Sequence, residues 1–101
     1  MRIRGEVFWS WADASLHHRS YDEILADGSS IDVQVRLSRT GSTQLFIGLY
    51  ADDGRALHEE AFDSRPGESM SKALALGVVQ ARRQASRLVR DGRGVNVGMK
   101  G

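Results

Sequence analysis

The stretch IDVQVRL, residues 31–37, alternates without a break: Ile31, Val33, Val35 and Leu37 take one side of an extended chain, and Asp32, Gln34 and Arg36 take the other. Successive side chains of a strand point to opposite faces, so this pattern demands a strand with one face on a core. Its polar second face fits an antiparallel sheet rather than a parallel one buried on both sides. SRTGST interrupts the period and QLFIGLYA resumes it, with Leu45, Ile47, Leu49 and Ala51 against Phe46, Gly48 and Tyr50. DDG, residues 52–54, is a hairpin signal, because Asp-Gly accepts the positive φ of tight turns. RALHEEAF then returns as a third strand, less cleanly patterned and therefore an edge. With Asp53-Gly54 as the central pair, Leu49 falls opposite His58 and Leu45 opposite Phe62, a register that a one-residue slip would invert.

After DSRPGES the period changes to that of a helix. Met70, Leu74, Gly77, Ala81, Ala85 and Leu88 recur at three- and four-residue steps. Ser69 is the expected N-cap, Glu68 suits the positive end of the dipole, Arg82, Arg83, Arg87 and Arg90 load the other end, and Gly92 is the expected stop. About 22 residues would make a helix of roughly 33 Å, long enough to cross the sheet. Gly77 costs about 1 kcal/mol against Ala inside a helix, which points to close approach of a strand there. Leu74, Ala81 and Leu88 are expected to pack on Val33, Val35 and Ile47.

At the other end of the chain, Ile3, Val7, Trp9 and Trp11 share a parity, which predicts a first strand over residues 2–11. RSYDEILADG leaves two readings open: Ser20 with Glu23 as the capping box of a short helix, or ADGSS as a further hairpin turn. The expected fold is α+β, a three-stranded antiparallel meander plus an N-terminal strand, with one long C-terminal helix packed across one face. A single domain over residues 1–91 would be followed by a flexible glycine-rich tail, GRGVNVGMKG, over residues 92–101.

Composition narrows the function classes. The 101 residues are 41% hydrophobic and 27% charged, close to globular averages, and hold no cysteine. Disulfides, zinc–thiolate sites and thiol nucleophiles are thereby excluded, and a reducing cytoplasm is the expected setting. The N-terminus has no apolar run of signal-peptide length and no stretch approaches the roughly 20 residues that span a bilayer, so no membrane association is expected. Net charge is +1, unevenly spread. Residues 1–63 carry six Lys/Arg and eleven Asp/Glu (6 − 11 = −5), and residues 64–101 carry eight and two (8 − 2 = +6).

Chemical motifs are sparse. His17-His18 would need Asp13, Asp22 or His58 to converge before a metal could bind, since adjacent residues point apart; no metal or other cofactor is expected. His58 adjoins Glu59-Glu60, and Asp52-Asp53 lies nearby, but acid–base chemistry needs such groups in one pocket, and these alternate across an edge strand or sit in a turn. No Gly-x-Ser-x-Gly elbow and no phosphate loop is present, so no catalytic residue is assigned. The suggestive feature is the basic helix. Arg83, Arg87 and Arg90 follow one stripe, flanked by Arg82 and Lys72 and extended by Arg93 and Lys100. Of the two tryptophans, at least one is expected in the core, and Trp11 joins the arginines as a candidate partner-binding residue.

The order of sheet then helix is similar in outline to the double-stranded-RNA-binding domain, whose final helix begins with a lysine cluster on phosphates. The matching stretch here, RPGESMSKALA, offers Arg65 and Lys72 together with Glu68 and no such cluster, and the basic charge sits at the opposite end of the helix. Small phage-encoded inhibitors, some anti-CRISPR proteins among them, resemble the chain in size and layout. The expected function is non-catalytic protein binding, as an accessory or inhibitory module of phage or mobile-element type, with homo-oligomers allowed. Nucleic-acid binding through the arginine-rich helix face is the alternative.

Overall fold

The computed structural model describes residues 2–94, with side chains as far as Leu88. Its elements run α1 (Glu6–Trp11), β1 (His18–Ile24), β2 (Ser30–Leu37), β3 (Thr43–Tyr50), β4 (Ala56–Phe62) and α2 (Met70–Gly94). The strands form one antiparallel meander in the order β1-β2-β3-β4, and α2 crosses one face of it, an α+β fold.

The alternation in β2 and β3 does what a half-buried strand pattern requires. Ile31 pairs with Leu49, Val33 with Ile47 and Val35 with Leu45, and all six are buried beneath α2. From the helix come Ala73, Val78, Ala81 and Ala85, with Met70 and Leu74 half-buried beside them. Ser69 caps the helix as expected: its Oγ accepts the Lys72 N–H at 3.1 Å. Gly77 marks the close approach, since a Cβ there would stand 2.8 Å from Val33 Cγ1 and 2.9 Å from Leu45 Cδ1. Leu88 departs from expectation. It is 38% exposed and lines an open groove with Leu49 and Leu57 instead of joining the core. The helix also continues past Gly92 to Gly94. Residues 95–101 of the expected tail lie outside the described residues.

No strand runs over residues 2–11, contrary to expectation. The fourth strand is β1, where Ser20 and Glu23 are strand residues facing Gln34 and Ile31 rather than a capping box, and ADGSS enters the hairpin turn of the other reading. Residues 6–11 instead form one short helix, whose three-residue spacing turns Phe8 and Trp11 together onto the sheet while Trp9 stays 66% exposed.

All three hairpins use one turn. In Leu25–Ser29, Ser38–Ser42 and Ala51–Arg55 the first residue's N–H donates to the fifth residue's carbonyl, at 2.7, 2.8 and 2.8 Å. In each, the fourth residue is a glycine at φ 88°, 89° or 92° whose N–H returns to the first carbonyl. This is the three-residue loop with a left-handed glycine. The β3–β4 loop is thus one residue longer than a turn centred on Asp53-Gly54, and a bulge offsets the extra residue. Tyr50 faces Ala56 and Leu49 faces His58, so Leu57 is skipped and the expected register of Leu49 and Leu45 is recovered.

Replacing Gly77 tests the packing of α2. Alanine gains about 1 kcal/mol of helix propensity but forces its methyl into Val33 and Leu45, and overpacking costs about 1–3 kcal/mol. Gly77→Ala is expected to lower stability in chemical denaturation, and Gly77→Leu far more. A more stable Gly77→Ala protein would show that the helix stands further off the sheet.

Candidate functional site

α2 has two unlike faces. Its deepest inward positions are small: Ala73, Gly77, Ala81 and Ala85. On the opposite side a stripe of Lys72, Leu76, Val79, Arg83 and Arg87 follows the helical repeat, with Leu76 41% and Val79 45% exposed. Arg83 and Arg87 have no partner among the described residues. The aliphatic pair between Lys72 and Arg83 is outside the core cluster.

The sequence-assigned residues separate. Arg82 turns toward β1, where it donates to Glu23 Oε1 at 2.8 and 2.9 Å and to the Tyr21 hydroxyl at 3.1 Å. That contact holds the half-buried Glu23 carboxyl below its ordinary value, through the Arg82 bond first and the Tyr21 bond second. Arg83 and Arg87 stay on the outer stripe; the side chains of Arg90 and Arg93, and Lys100, lie outside what is described. Arg65 is paired with Glu68 at 2.9 Å. Trp11 is buried, stacked on Phe46 at 5.5 Å with the Arg36 guanidinium over its ring at 4.0 Å, so it is a core residue and Trp9 is the exposed one. Leu76 and Val79 are not among the residues the sequence singles out, although the helical period places both opposite Ala81; of the tryptophan pair, the exposed member is Trp9 and not the candidate Trp11.

The far face of the sheet carries the strongest electrostatics. Register aligns Asp22, Asp32, Gly48 and Glu59 in one row across the four strands. Arg2 and Arg4 answer that row from the N-terminal segment: Arg2 pairs with Asp22, and Arg4 with Asp32, which is 1% exposed. Gln34 adds a 3.0 Å bond to Asp32. Glu59 accepts from Tyr50 Oη at 2.6 Å and from the N–H groups of Gly5 and Phe8 at 2.9 and 3.2 Å, so a carboxylate from β4 caps α1. Gly5 makes room for it, since a Cβ there would come within 2.5 Å of Glu59 Oε1. Burial alone would raise the Glu59 carboxyl, but the bonds from Tyr50, Gly5 and Phe8 and the Arg4 charge outweigh it and hold it low. Burial, with the bond to Glu59, pushes the Tyr50 hydroxyl well above its ordinary value.

Glu59 and His58, neighbours in sequence, therefore serve opposite faces. His58 contacts Glu60 at 3.3 Å on the helix side, and Glu59 belongs to the fastening of the N-terminal segment. Among the described residues no group of three His, Asp or Glu side chains is placed to hold a metal ion. A groove of about 370 Å³ opens where α2 overhangs the sheet, floored by Leu49, Leu57, Ala85 and Leu88 with Asp52 and Arg55 at its rim. No described helix is long and apolar enough to cross a membrane.

The far-face network predicts acid sensitivity. The folded pKa of Glu59 lies below its unfolded value of about 4.3. Its contribution is complete above that value and is lost as pH falls through the folded pKa. In denaturant titrations wild type should weaken steeply below about pH 4, and Glu59→Gln should start less stable at pH 7 and depend less on pH. Arg4→Ala strips the ion partner from buried Asp32 and is expected to cost about 3–5 kcal/mol. In a Trp9→Phe background, Trp11 emission would shift red if the segment lifts. An unchanged pH profile in Glu59→Gln would remove Glu59 from the fastening.

Comparison with protein-family models, with curated proteins and with solved structures gives no match, so the functional reading rests on the residues themselves.

Proposed function

We propose that this chain is a non-catalytic protein-binding module, an accessory or inhibitory protein of the cytoplasm, that engages an acidic, partly apolar surface of its partner through the outer face of α2. The carrying observation is the pair Leu76 and Val79, 41% and 45% exposed, set between Lys72, Arg83 and Arg87 on the side of α2 turned away from the sheet. Aliphatic side chains among unpaired arginines suit a protein interface, where an apolar centre is ringed by charge and arginine is a frequent hot spot. A phosphate backbone needs the cations but has no use for the leucine and valine. The lack of cysteine agrees with a reducing compartment.

Affinity capture with the purified chain, with and without nuclease, separates this reading from nucleic-acid binding. The bound protein should survive nuclease and be lost with Leu76→Asp/Val79→Asp, while both proteins keep the same melting temperature, since exposed positions usually shift stability within about 0.5 kcal/mol. Anisotropy titrations with a labelled duplex and a single-stranded RNA give the opposing result. Sub-micromolar binding at physiological salt, with a salt slope flattened by Arg83→Ala/Arg87→Ala and no effect of the aspartates, would make the arginines phosphate ligands instead.

A further inference from the structure

We propose that β1 is a self-association edge, along which two copies of this chain pair antiparallel to form one continuous eight-stranded sheet. β1 is an outer strand of the meander, and no described segment pairs with its free side. The other outer strand is different, because the Ile3 N–H donates to the Gly54 carbonyl at 2.7 Å and bridges the start of β4. The bonds Leu25 N to Ser29 O and Leu37 N to His17 O fix which residues of β1 face β2. By antiparallel alternation, Arg19, Tyr21 and Glu23 turn their amides inward, and His18, Ser20, Asp22 and Ile24 turn theirs outward.

The charges along this edge say what fits it. β1 reads HRSYDEI, basic at its start and acidic at its end, so an antiparallel second copy is its electrostatic complement. In the register of full overlap, Tyr21 meets its own symmetry mate, Arg19 meets Glu23 of the second copy twice, and Ser20 meets Asp22 twice. The same register places the outward-facing residues opposite one another, as hydrogen-bonded pairs must be. A two-residue shift one way brings Asp22 onto Asp22; a shift the other way brings Arg19 onto Tyr21 and gives up the ion pairs. Ile24, 78% exposed, gains His18 of the second copy as a neighbour. Glu23, already held by Arg82, would lie between two guanidinium groups. Charges on an edge strand ordinarily repel other strands, and β1 has neither proline nor bulge to help them; here one register turns repulsion into attraction.

Sedimentation equilibrium of the full chain over a wide concentration range tests this. An edge of seven residues is a small interface, so a concentration-dependent monomer–dimer equilibrium is expected. Arg19→Glu and Glu23→Arg should each weaken association at least tenfold, and the double variant should restore it to within a few-fold. The internal contacts of Arg19 with Ser71 and of Arg82 with Glu23 would not produce such a rescue. Ser20→Pro removes an outward amide without touching the β1–β2 ladder, so it should abolish dimers while the melting temperature of the monomer holds. A monomer at every concentration, a dimer indifferent to Ser20→Pro, or a double variant without rescue would overturn the proposal.

Discussion

The row of carboxylates across the far face of the sheet governs the rest of that layer. Asp22, Asp32 and Glu59 lie in register on three strands, and Asp32 has almost no contact with water. A buried carboxylate must be paired or neutralised, because desolvation alone costs several kcal/mol. The chain supplies the pairing from its own first residues, Arg2 and Arg4, which share one side of an extended segment while Ile3 points outward, 63% exposed. Everything downstream is referenced to that anchor. With Arg4 on Asp32, Gly5 reaches Glu59; Glu59 starts α1; α1 lays Phe8 and Trp11 on Phe46; and Arg36 binds the Trp11 carbonyl to close the layer. A slip of one residue would set Ile3 against the carboxylates, so the ion pairs serve register more than net stability.

The helix side is governed by geometry rather than charge. Positive-φ glycines stand at positions 28, 41, 54 and 67, each thirteen residues after the last. The first three close identical hairpins. The fourth, in Arg65-Pro66-Gly67-Glu68, is a turn closed by the Glu68 N–H on the Arg65 carbonyl, with proline and left-handed glycine at its two centre positions, and it redirects the chain into α2. Equal spacing gives strands of matched length, which lets a single helix bridge β1 to β3.

These two regimes explain what could be read in advance. Alternation over residues 31–37 and 45–51, the change of period at Ser69, the Gly77 approach and the pairing of Leu49 with His58 are local patterns with local physical causes, and they appear as expected. The N-terminal layer depends on partners about thirty residues or more away, such as Arg4 with Asp32 and Gly5 with Glu59, and no window of sequence contains both halves. Parity alone grouped Ile3 with Trp11, although one is outside and the other is core. Asp32 and Tyr50 read as the wet face of a strand because the segment that covers them is polar at the contacting positions. The glycine interval of thirteen was present in the sequence and would have placed β1, since it marks ADGSS as the same turn as SRTGS and ADDGR. For the helix face, attention to charge picked the arginines and passed over Leu76 and Val79.

The unequal use of side chains in α2 bears most directly on function. Amphipathic helices ordinarily place bulk inward, yet here the innermost positions are three alanines and a glycine, because the backbone comes so near β2 and β3 that nothing larger fits at Gly77. Bulk on the outer side is then irrelevant to the core. Arg2, Arg4, Arg36, Arg65 and Arg82 are all engaged within the molecule, whereas Arg83 and Arg87 have no partner among the described residues and follow the two exposed aliphatics on the same stripe. In the acidic body Arg2, Arg4 and Arg82 pair with Asp22, Asp32 and Glu23. Arg83 and Arg87 therefore stand without a described partner on the outer face of α2, beside apolar area that water disfavours. Both properties are relieved by the same kind of contact, with an acidic protein surface that has an apolar centre.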